Sequence, residues 1–188
     1  MATDSNEEAV LAKRHEAYFD SVVPDKNGCL DLSEFMRWAN DLEPMCQATD
    51  AKWKELRSSI QEFWATVGFV PGAELTREQF VHGMMKAGRE ELERQRKGEK
   101  TPFTRMMNAF FDVLDEDNLG YVTQDELEKF FRAVKTELKA AKVWSDNADL
   151  KQNGKLDRGE LTKNSFNFWF NPAEDKTGGM LMAGAYTT

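Results

Sequence analysis

The strongest constraint on this chain is a twelve-residue frame built around a glycine. Its best copy, residues 115–126, reads Asp-Glu-Asp-Asn-Leu-Gly-Tyr-Val-Thr-Gln-Asp-Glu. A hard cation such as calcium takes six to eight oxygen ligands, and a loop of this length supplies them from positions 1, 3, 5, 7, 9 and 12. Asp115, Asp117, Thr123 and Glu126 fill positions 1, 3, 9 and 12, and Tyr121 offers its carbonyl at position 7. Gly120 stands at position 6, where the chain must turn sharply. Val122 takes position 8, whose apolar side chain pairs one loop with another through a short β-bridge. Leu119, at position 5, cannot ligate.

Two further glycines carry the same frame. Around Gly28, Asp25, Asn27, the Cys29 carbonyl, Asp31 and Glu34 occupy positions 3, 5, 7, 9 and 12, with Val23 at position 1 and Pro24 after it. Around Gly154, Asp149, Asn153, the Lys155 carbonyl, Asp157 and Glu160 occupy positions 1, 5, 7, 9 and 12, with Lys151 at position 3. In all three copies an aliphatic residue follows the glycine by two and a Glu by six, which is the signature of an EF-hand loop. The flanks agree. Phe19 and Phe35, and Phe111 and Leu127, sit where entering and exiting helices face inward, so each loop belongs to a helix–loop–helix unit. A vestigial copy lies between Trp53 and Lys86. Its positions 1, 3, 5 and 12 are Gly68, Val70, Gly72 and Gln79, so it is expected to pair and pack but not to bind calcium.

The expected fold is therefore all-α: four EF-hand units in two paired lobes, residues 1–90 and 101–188. Helices are expected over 10–22, 32–42, from a cap at Thr49 or Asp50 to Val67, and over 77–88. Thr101 and Pro102 start another with Pro at its first turn, and the last runs from Asp157 to Phe170. Phe103, Met106, Met107, Phe110, Phe111 and Leu114 form one apolar face, which Leu127, Phe130, Phe131, Val134 and Leu138 continue beyond the loop. The almost wholly charged run 88–100 reads as a solvated helical extension and linker. The end of the chain, Met180-Leu181-Met182-Ala183-Gly184-Ala185, is too apolar to be left in water and is expected to fold back into a groove.

Composition limits the function. A net charge of −8 disfavours nucleic acid. Cys29 and Cys46 have no zinc spacing and read as structural thiols of a reduced, cytoplasmic protein. Ala2 excludes N-myristoylation and no apolar run spans a bilayer, so no membrane anchor is expected. The only histidines, His15 and His82, sit in no nucleophile or metal motif and read as helix-surface or satisfied, partly buried residues. No enzyme is expected.

The defunct second hand, the long segments between hands and the C-terminal pattern Phe168-Trp169-Phe170-Asn171-Pro172 through Gly179-Met180-Leu181-Met182-Ala183-Gly184 resemble the invertebrate sarcoplasmic calcium-binding proteins. Calexcitin-like and coelenterazine-binding proteins belong to the same wider group. The resemblance implies a compact, two-lobed cytosolic molecule that binds calcium, or calcium and magnesium, at hands one, three and four. Val23, Leu119 and Lys151 stand where that family keeps ligands, so the expected order of affinity is hand three, then four, then one. The main expectation is a monomeric calcium buffer or specialised sensor, its partners calcium ions and a protein or small hydrophobic ligand. One alternative is an EF-hand carrier of a small hydrophobic ligand, since five Trp and nine Met make a cavity plausible, although Trp38, Trp53, Trp64, Trp144 and Trp169 read most simply as core. The other is a relative that has largely lost metal binding.

Overall fold

The computed structural model describes residues 2–23, 28–135, 138–149 and 151–173. Eight helices are found among them: α1 (Ala2–Val22), α2 (Leu32–Leu42), α3 (Asp50–Val67), α4 (Arg77–Arg96), α5 (Pro102–Leu114), α6 (Gln124–Ala133), α7 (Leu138–Ala148) and α8 (Arg158–Phe170). Their starts are written locally. Asp31, Thr49, Thr76, Thr101, Thr123 and Asp157 each accept a backbone N–H in the first turn of the helix that follows, which satisfies one of the donors a helix start leaves unpaired.

The position 8 residues do what their apolar character calls for. The short strands β1 (Leu30–Asp31) and β2 (Glu74–Leu75) pair antiparallel with Leu30 opposite Leu75. Strands β3 (Tyr121–Thr123) and β4 (Lys155–Asp157) pair with Val122 opposite Leu156. Hands one and two are thus coupled, as are three and four, and the second hand pairs despite having no carboxylate ligands. Within it Gly83, on α4, comes so close to the end of α3 that a Cβ there would lie 2.1 Å from the Val67 carbonyl oxygen.

Three expectations need correction. The apolar stripe that starts at Leu127 does not run on to Leu138: α6 ends at Ala133, Lys135 takes a left-handed φ of 57°, and a new helix begins at Leu138. The charged run after Gly88 is not wholly a solvated face, because α4 continues to Arg96 and buries Glu91. Glu91 accepts from the Phe103 N–H at 3.1 Å, capping α5 from outside, and burial raises its carboxyl pKa. Cys46 is buried, with its thiol pushed up to about 11 by burial, but Cys29 is exposed and holds no core together. The apolar C-terminal segment, with its expected return into a groove, lies outside the described residues. No helix among the described residues is long and apolar enough to cross a membrane.

Candidate calcium loops and an aromatic cavity

Hand three gathers its residues. Asp115, Asp117, Tyr121, Thr123 and Glu126 line one open concavity, together with Leu119 and the Glu116–Lys129 ion pair. Asp115 is the C-cap of α5 and is buried. Its carboxylate accepts from the N–H groups of Leu119 (2.7 Å) and Gly120 (3.0 Å), which wraps the loop around it. Gly120 has a φ of 82°, a left-handed value that glycine adopts without steric cost. Glu126 currently serves its own helix: its Oε2 accepts from Thr123 N (2.8 Å) and Thr123 Oγ1 (2.7 Å). Among the described residues, no three His, Cys, Asp or Glu side chains converge on one metal position. The donor set is all oxygen and fits a hard cation once Glu126 turns from the cap to the loop centre.

The described part of hand four repeats features of hand three. Gln152 and Gly154 repeat the left-handed φ values of Asn118 and Gly120, and Asp149 Oδ2 accepts from Gly154 N at 2.6 Å. Asp157 and Glu160 exchange capping bonds of 2.8 and 3.0 Å. Asn153 spends its side-chain oxygen on Lys155 N, and the Lys155 ammonium lies 3.8 Å over the Tyr121 ring of the paired loop. Lys151 donates to Asp157 Oδ2, and this bond holds the Asp157 carboxyl below the usual carboxylate range. Asp149 Oδ1 and Glu160 Oε1 are buried with no hydrogen-bond partner.

Hand one is described only in part. Asp25 and Asn27 lie outside the described residues, and Val23, at position 1, is buried apolar surface. Asp31 caps α2 through Ser33, whose hydrogen bonds lower its pKa. Glu34 is engaged by Arg37, which also binds Asp41 and reaches the Ala133 carbonyl at the end of α6. These residues serve helix starts and the contact between the two hand pairs.

Between those pairs lies an apolar cavity of about 90 Å³, below the range of small-molecule sites, so its walls would have to part to admit a ligand of that size. Trp38 and Trp64 line it from the first pair, and Phe103, Met107, Phe131, Trp144 and Trp169 from the second. Trp38, Trp53, Trp64 and Trp144 belong to the buried core and Trp169 packs against it, as expected; all but Trp53 also border the cavity. The indole N–H groups of Trp64 and Trp144 are buried without acceptors, and an unmet buried donor costs about 1–3 kcal/mol.

His15 backs this wall. It is fully buried, unlike the surface or partly buried residue expected, while His82 is exposed. Its ring stacks on Trp169 at 6.1 Å, and its Nε2 lies 3.1 Å from the Trp169 carbonyl oxygen. Arg14 donates to the neighbouring Phe168 carbonyl, so α1 clasps the end of α8. The aromatic spacing of α3, α5 and α8 marks buried faces, but no signal within one helix distinguishes core from cavity.

No protein-family model matches the chain. Obelin of Obelia longissima is 27% identical over 161 residues, covering 84% of this chain and 83% of obelin. A solved light-sensitive photoprotein is 32% identical, with a TM-score of 0.76 over 85% of this chain and 82% of that one. Berovin from the ctenophore Beroe abyssicola, solved as the Ca²⁺-loaded apoprotein, is 31% identical, with a TM-score of 0.75 over 86% of this chain and 87% of berovin. The chain belongs to the photoprotein family. As a photoprotein relative it falls in the wider EF-hand group named from its sequence, while these matches give no specific support to the sarcoplasmic calcium-binding proteins. They also favour the ligand-carrier alternative over the plain buffer or sensor, and the expectation that the chain is no enzyme does not follow from them.

Proposed function

We propose that this photoprotein-family chain holds a coelenterazine-class ligand in its aromatic cavity and emits light when calcium binds at hand three. The observation that carries this reading is that one helix serves both sites. The body of α5 lines the cavity through Phe103, Met106, Met107 and Phe110, and its last turn leads into Asp115 at position 1 of the calcium loop. The exiting helix α6 likewise carries Glu126 at its start and Phe130 and Phe131 on the cavity wall. A cation that draws Asp115 and Glu126 together moves both walls, so calcium and ligand affinities are coupled, reciprocally, by linkage.

In this reading Asp115, Asp117, the Tyr121 carbonyl, Thr123 and bidentate Glu126 hold calcium, with water in place of a side chain at Leu119. Magnesium is a competing occupant, since all three loops of Mg²⁺-loaded apo-berovin bind that ion. The bound ligand would supply the group that is oxidised with light emission, and dissolved dioxygen the oxidant. The protein's aromatic walls exclude water, and the Trp64 and Trp144 N–H groups orient the ligand.

The test is reconstitution of the apoprotein with coelenterazine. Binding is expected to quench tryptophan emission at one ligand per chain, and a calcium jump is expected to release a flash. Glu126→Gln should keep ligand binding while losing both the tightest calcium phase and the flash. Absence of ligand binding at micromolar concentrations refutes the reading. Binding without a calcium-triggered flash replaces it with a carrier.

A further inference from the structure

Hand four combines two facts that pull in opposite directions. The described part of its backbone repeats the left-handed φ values of hand three, and it still directs carboxylates at positions 1, 9 and 12. Glu160 is only 6% exposed, yet its Oε1 has no hydrogen-bond partner, and Asp149 Oδ1 is buried in the same condition. Buried, unpartnered carboxylate oxygens are expensive unless a cation faces them. At position 3, where a carboxylate would complete the set, stands Lys151, with its ammonium on Asp157 Oδ2.

We propose that Lys151 is the resident cation of hand four, an internal substitute for calcium that keeps the loop wound and excludes the metal. Compared with an Asp at position 3, Lys151 changes the loop's charge by two in the direction that repels calcium, and it also occupies one of the remaining ligands. Calcium entry would require the ammonium to leave Asp157 and remain within a few ångströms of a divalent ion. Lys151 is 58% exposed on its side chain, so its hold on Asp157 is weak by itself. The exclusion comes from the missing ligand and the added charge together. Asp149 Oδ1 and Glu160 Oε1 stay unpartnered, and the backbone bonds that engage the other oxygens of Asp149, Asp157 and Glu160 resemble those of Asp115 and Glu126 in hand three, so the lysine is what sets hand four apart. Hand four then acts as a fixed partner for hand three through the β3–β4 pairing. This assignment refines the calcium half of the proposed function and does not depend on the cavity ligand.

Calorimetric titration of the full-length apoprotein with calcium tests it. Glu160→Gln should leave the wild-type isotherm unchanged. Lys151→Asp should add one calcium phase, at least tenfold tighter than any residual binding at that hand, and the double variant Lys151→Asp/Glu160→Gln should lose it again. Lys151→Ala, which removes the charge without adding a ligand, should give a weaker gain and guards against a folding defect in the aspartate variant. A wild-type phase that disappears in Glu160→Gln overturns the proposal, as does failure of both Lys151 variants to gain binding while their helical circular dichroism matches wild type. The hand-three phase is followed separately by its loss in Glu126→Gln, so failure there refutes the proposed calcium site without bearing on Lys151.

Discussion

Replacing His15 with Gln should remove about 2 kcal/mol of the stability that this fold loses between pH 7 and pH 5. The ring is fully buried, and the bond to the Trp169 carbonyl requires its N–H at Nε2, leaving a lone pair on Nδ1 with no partner. Burial, opposed in part by that bond and assisted by the neighbouring Arg14 charge, lowers its pKa from 6.5 to about 4. The unfolded chain takes up the proton near pH 6.5 and the folded chain only near pH 4. Stability from this group is therefore complete above pH 6.5 and is lost progressively as the pH falls through that window. A gap of about 2.5 pH units, at about 1.4 kcal/mol each, sets a ceiling of about 3 kcal/mol, and the part lost between pH 7 and pH 5 is about 2 kcal/mol. Urea unfolding of wild type and His15→Gln, followed by tryptophan emission in chelator at both pH values, measures it. Carboxylates, including the buried Glu91, titrate in both proteins and cancel in the difference. The variant should lose about 2 kcal/mol less than wild type on acidification. Identical losses would mean that His15 is protonated in the folded state, and the account of the α1–α8 clasp would fail.

Two further substitutions probe the packing around the site. Gly83→Ala places a Cβ against the Val67 carbonyl and within 3.0 Å of Val67 Cγ1, so α3 and α4 must separate at a cost of about 1–3 kcal/mol. The melting temperature should fall, and an unchanged melt would mean that this close approach is not rigid. Glu91→Gln keeps an acceptor for Phe103 N without the buried charge and should match or exceed wild-type stability at pH 7, whereas Glu91→Ala should lose about 1–2 kcal/mol in the same unfolding assay. Equal losses in the two variants would rule out the capping role.

How much could be read in advance divides by the range of the interaction. The loops and the helix caps depend on residues within twelve of one another, and the same local frame marks the position 8 residues, Leu30 with Leu75 and Val122 with Leu156, that pair across the chain, so the four hands and their pairing were legible residue by residue. The same locality exposed the defects at Val23, Leu119 and Lys151. It did not show how the chain uses its ligand-type side chains: Glu34 lies on Arg37, Glu126 caps its own helix, and Lys151 lies on Asp157.

The cavity was beyond the sequence for a different reason. Periodic aromatics on a helix show that a face is buried, but the same pattern serves whether the space opposite is filled by side chains or left for a ligand. That outcome depends on how closely helices far apart in the chain approach, as at Gly83 and Val67, or at Gly88, where a Cβ would stand 2.8 Å from Phe170. The burial of His15 and Glu91 was decided in the same way, by α8 and α5 closing over polar groups whose own helices only mark them as surface. Sequence alone determined the hands and the ligand-type residues each carries, because those are local; the aromatic cavity and its polar backing exist only where the two pairs of hands meet.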